Sequence, residues 1–137
     1  SGCSMVFAES IKHGNFNMGY EFGFGEDCDF GSQLRNLGND VLYFPKPKIL
    51  HLKAPMGGFR SKPLLQWHSD FIQPKPSPTV MLYQILHNTQ EQLLGYKTTL
   101  FFKYYKRQKI KNPVIYFINF RKQWKRSAFW ANELNKK

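Results

Sequence analysis

Prolines at 74, 76 and 78, in the run Gln73-Pro74-Lys75-Pro76-Ser77-Pro78, interrupt this chain more firmly than any other feature. A proline ring fixes φ and removes the amide proton that helices and sheet ladders use, so alternating prolines favour a stiff, extended stretch. Ser77 and Pro78 then suit the N-cap and first position of a following helix. The expected division is residues 1–73 on one side and residues 74–137 on the other.

Charge divides the chain in a similar way. Residues 1–94 hold eight Lys/Arg and eight Asp/Glu, whereas residues 95–137 hold twelve Lys/Arg and a single acid, Glu133. The whole net charge of +11 therefore belongs to the second stretch. An ordinary globular sequence followed by a basic extension points to an anionic partner for the extension, either a membrane surface or nucleic acid. Hydrophobic residues make up 42% of the chain, enough for a core and too many for a chain disordered by composition. Two cysteines, Cys3 and Cys28, are too few for a disulfide framework and fit a reducing, cytoplasmic setting. The start, Ser1-Gly2-Cys3-Ser4, has neither an initiator Met nor the form of a signal peptide, and reads as a fragment or a processed chain.

Local patterns in the first part mix both kinds of element. Residues 4–8, 41–44 and 49–52 read as short strands, and residues 9–14 as one helical turn closed by Gly14. Gly19, Gly23 and Gly25 mark a loop. A helix starts at Glu26 or Asp27, with its acids where the macrodipole favours them. Phe30, Leu34 and Leu37 form its apolar stripe, and Gly38 ends it. The prediction here is α/β (an α+β fragment). Beyond the prolines, helices are expected over 79–94, 99–109 and 114–134.

The chemistry-bearing run is Gly25-Glu26-Asp27-Cys28-Asp29-Phe30, then Gly38, Pro45 and His51. A glycine-rich approach, a Glu-Asp pair opening a helix, a strand, a proline and a His resemble the acceptor-side segment of inverting, family 2, GT-A-type glycosyltransferases. The likeness covers residues 1–62, with Gly57-Gly58-Phe59-Arg60 matching the loop after the His. It implies the C-terminal part of a GT-A nucleotide-diphospho-sugar transferase fold, followed by a mostly helical basic tail. It further implies transfer of a sugar from a nucleotide-sugar donor to a glycan or lipid-linked acceptor, in cell-surface polysaccharide synthesis. By the resemblance, Asp27 is the base, Glu26 orients the acceptor and Gly25 lines its site. His51 takes the place of a metal ligand and Arg60 closes over the diphosphate. A divalent metal, Mn or Mg, is implied for the full-length enzyme. None is expected on these residues alone, because the family's donor site and Asp-X-Asp motif lie upstream. The chain by itself is therefore expected to be inactive.

In the basic stretch, Val114, Phe117, Phe120, Trp124, Ala128 and Ala131 share one side of a helix, with Lys122 and Arg126 opposite. That pattern suits an amphipathic helix lying on anionic lipid, with Phe117, Phe120 and Trp124 inserting, on the cytoplasmic face of a membrane; the alternative is that the stripe packs on the protein itself and the charges are solvated. Nucleic acid ranks behind lipid because no recognition module accompanies the basic residues. The competing function is a non-catalytic basic module for membrane or nucleic acid, in which Glu26 and Asp27 merely stabilise a helix start.

Overall fold

Pro78 begins a helix because its missing amide proton costs nothing at the first helical position and its φ is already helical. This helix, α3 (Pro78–His87), lies in the centre of the protein, with Pro78, Thr79, Met81 and Leu82 buried. The computed structural model describes residue 6 and residues 8–21, 23–43, 45–46, 48, 64–109 and 111–136. Among the described residues there are four further helices, α1 (Ala8–Ile11), α2 (Glu26–Asn36), α4 (Gln90–Arg107) and α5 (Pro113–Leu134), of which α5 and α2 pack on α3. Short 3-10 turns occur at Met18–Tyr20 and Gln66–Ser69.

The helix ends follow from side-chain chemistry. Asn112 caps α5 by accepting from the amides of Val114 (3.0 Å) and Ile115 (3.2 Å). Thr89 caps α4 reciprocally: its hydroxyl accepts from the Gln92 amide, and the Gln92 side chain accepts from the Thr89 amide. Gly38, at φ +82°, lets α2 close with paired bonds from the Asn39 amide to Leu34 O and from the Gly38 amide to Arg35 O.

Two apolar clusters hold these helices together. The larger joins Tyr20 and Trp67 to Met81, Leu82, Ala131 and Leu134, so α3, α5 and both 3-10 turns share it. Burying Met81 and Leu82 almost completely is worth about 1.5–3 kcal/mol each. The smaller cluster joins Leu100 of α4 to Tyr116 and Phe120 of α5. Trp124 packs against both and links them. The proline run is no free tether: Pro74, Pro76 and Pro78 are buried. The Lys75 amide bonds Gln123 O, and Ser127 Oγ donates to Pro76 O at 2.7 Å. Residues on either side of position 73 thus share one core.

The α/β expectation, and with it the GT-A fragment as a fold, is overturned. Every regular element among the described residues is helical, and none is a strand. Ala8, the end of the first expected strand, opens α1. Residues 41–43 form no ladder, and Val41, Leu42 and Tyr43 are exposed. A short apolar run becomes a strand only where a partner accepts its backbone groups, and such runs cannot be assigned by pattern alone. Residues 4–5, 44 and 49–52, the rest of the expected strands, lie outside the described residues.

Candidate functional site

The approach to α2 is fixed from two directions. Asn17 caps the Met18–Tyr20 turn, its side chain accepting from the Gly19 amide at 2.8 Å. The Phe24 amide then donates to Thr79 Oγ1 on α3 at 3.1 Å. Gly25, the N-cap, has φ +127°, and a Cβ there would come within 2.9 Å of the Tyr20 ring. Only glycine turns the chain this sharply while Tyr20 lies beneath it. The result places Glu26, Asp27 and Asp29 in one helical turn.

These three acids have separate surroundings. Asp29 is buried, 3% exposed. One of its oxygens lies 2.6 Å from His87 Nε2 of α3 and accepts from the Tyr20 hydroxyl at 3.3 Å. The other accepts from Gln33 Nε2 at 2.8 Å. The Tyr20 phenol is pushed well above its ordinary range, chiefly by burial and then by the charge of Asp29, so it remains a donor. His87 packs against the Tyr83 ring, whose hydroxyl lies 3.2 Å from Ser32 Oγ. Glu26 and Asp27, by contrast, are exposed and make no side-chain hydrogen bond or ion pair with the described residues. A buried carboxyl thus anchors the helix start to α3, while two solvent-facing carboxyls project from the same turn beside Gly25.

Such a turn presents proton acceptors to a hydroxyl-bearing ligand at the positive end of a helix. Among the described residues no group of three or more His, Cys, Asp or Glu is placed to hold an ion. His51 and Arg60 lie outside the described residues.

The expected membrane-facing residues of α5 are divided. Phe117 and Lys122 are exposed. Phe120 is buried, 3% exposed, in the smaller cluster, and Trp124 is half-buried between the clusters. Arg126 forks onto Asp70, with its Nη2 2.6 Å from Oδ1 and its Nε on Oδ2. Trp130 Nε1 donates to the same carboxyl at 2.6 Å. The Arg126 hydrogen bond holds the Asp70 carboxyl below its usual range. The side of α5 predicted to face lipid is therefore largely its core side, and Arg126 is a structural clamp. The sequence pattern points to neither the His87 contact nor the Asp70 clamp. Both pairings span more than fifty residues, and no local spacing signals them.

No protein-family model, curated protein or solved structure matches the chain. Among the described residues no helix is long and apolar enough to cross a membrane.

Proposed function

We propose that this chain supplies the acceptor side of an inverting glycosyltransferase, with Asp27 as the base and Glu26 orienting the acceptor. One observation carries the reading: in the first turn of α2, Asp29 is committed to His87, Tyr20 and Gln33, while Glu26 and Asp27 stay exposed and unpaired among the described residues. A turn that needed its acids only as helix stabilisers gains nothing from a glycine hinge and a dedicated buried anchor beneath them. In the proposed reaction an acceptor hydroxyl attacks the anomeric carbon of the nucleotide sugar. The bond to the diphosphate breaks with inversion, and the hydroxyl proton passes to the Asp27 carboxylate. The nucleotide sugar is bound by a separate part of the enzyme. The reading rests on this helix start and on the sequence run around it, not on a sheet.

Asp27→Asn preserves size and removes the proton acceptor. In the enzyme that includes the donor-binding part, turnover should fall by roughly 10²–10⁴-fold with donor affinity nearly unchanged. Release of nucleoside diphosphate in the presence of acceptor measures the first quantity, and titration calorimetry the second. A variant that keeps most of its turnover would reduce Asp27 to a helix-start residue.

A further inference from the structure

The sequence suggested one lipid-facing side of α5, and that side is mostly core. The adjoining strip, which begins at Val114, is different. Val114, Ile118, Lys122, Lys125 and Phe129 follow one another at spacings of three or four residues, which places them along one solvent-facing strip. Val114 is 65% exposed, and Ile118 and Phe129 nearly half. Arg121 is exposed on the same strip.

A second element extends the strip. The Asp70 clamp on Arg126 and Trp130 holds the segment after the Gln66–Ser69 turn against α5. Ile72 accordingly lines a shallow depression with Lys122, Lys125 and Phe129. Phe71, between the clamp and that depression, is fully exposed. Large apolar groups held in solvent by a dedicated clamp, with cations set between them, make a built surface rather than a solvated one.

We propose that this face of α5, with Phe71 and Ile72 beside it, docks on a bilayer carrying anionic lipid. The charges favour it: residues 92–132 contain no acid at all, and the two acids closest to this part of α5 are engaged, Asp70 by Arg126 and Glu133 by Lys136. Basic residues then meet lipid phosphates while the apolar groups between them enter the headgroup–acyl boundary. A second copy is disfavoured as the occupant because it would set like charges against each other. Nucleic acid is served by successive ring faces along a groove; this face has two exposed rings, Phe71 and Phe129, but Val114, Ile118 and Ile72 between and beside the cations are aliphatic, which suits acyl chains rather than stacked bases.

The test is co-sedimentation of the chain with vesicles of phosphatidylcholine, alone or mixed with phosphatidylglycerol, with poly(U) as competitor. Binding is expected to the mixed vesicles, weakly to the neutral ones, and to fall as NaCl rises from about 0.05 to about 0.5 M. Lys122→Glu with Lys125→Glu should cut vesicle partition about tenfold or more. Ile118→Ser with Phe129→Ser should lower it while the melting temperature stays close to that of the parent chain. If either pair of changes disturbs folding, the lipid and salt series on the unsubstituted chain decides. Equal binding to both vesicle types, unchanged binding after charge reversal, failure to sediment, or retention of poly(U) with indifference to vesicles would each overturn the proposal.

Discussion

Asp27 and Asp29 are two residues apart on α2, yet one faces water and the other a half-buried histidine. Helix geometry permits this because successive positions turn by about 100°, so neighbours of neighbours can face opposite ways. The difference predicts unequal costs of substitution. Asp29→Ala strands the buried Tyr20 hydroxyl, leaves the Gln33 side chain bonded to Asn15 alone and removes the His87 contact, for about 2–3 kcal/mol. Asp27→Asn forfeits only a favourable charge at a helix start, less than about 1 kcal/mol. Urea unfolding of the two variants measures the contrast, and similar losses would show that Asp27 is also part of the structural anchor. The sequence made the acids at the helix start visible because a local rule places them there. It could not rank them, since Asp29 is singled out by His87, 58 positions away, which only the packing of α2 on α3 brings close. Nor could it reveal Arg126 as a clamp, because a cation on a basic helix looks the same whether it meets a carboxyl or water.

At the scale of elements, caps decided what propensity left open. The sequence pattern suggested a helix over 79–94 and another over 99–109. The chain instead breaks at Asn88 and Thr89, and α4 runs unbroken through Gly95. The signal was present as Thr89-x-x-Gln92, a reciprocal capping pair inside the polar run from His87 to Gln92. Thr89→Ala should therefore cost about 1 kcal/mol. The loss should appear as a lower melting temperature and as faster amide exchange in the first turn of α4; unaffected exchange there would mean that packing alone sets the boundary. The starts of α3 and α5 were legible because Ser77-Pro78 and Asn112-Pro113 carry their own stop and start chemistry. The end of α2 was equally plain from Gly38. The expected strand at 41–44 fails at its described residues 41–43, since a run of four apolar residues carries no information about whether a partner strand exists.

The whole molecule is organised by α5, which spans roughly 33 Å at 1.5 Å per residue and touches both clusters. The sequence left its role as core open, because its aromatic and basic residues are interleaved and the same apolar stripe suits either lipid or protein. Phe120→Ala should cost about 3–5 kcal/mol by opening the Leu100–Tyr116 cluster, whereas Phe117→Ala should stay within about 0.5 kcal/mol. Thermal melts compare the two, and equal losses would place Phe117 in the core as well.

The same cluster gives the molecule an alkaline limit. Burial pushes the Tyr96 phenol up to about 12, with Tyr104 nearby adding to the effect, and Tyr104 and Tyr116 are raised as well. A raised phenol binds its proton more tightly in the folded chain than in the unfolded one. Its contribution to stability is therefore fully present below the ordinary value of 10.0 and is lost as pH climbs from there towards about 12. Above that range the unfolded chain ionises its tyrosines freely while the folded chain must first expose them. Melting temperature should stay level on approach to pH 10 and then fall, and Tyr96→Phe should fall less steeply over the same interval because phenylalanine has no proton to lose. Parallel slopes for the two proteins would mean that the alkaline loss arises at other groups and that the packing of Tyr96 against Trp124 does not govern it.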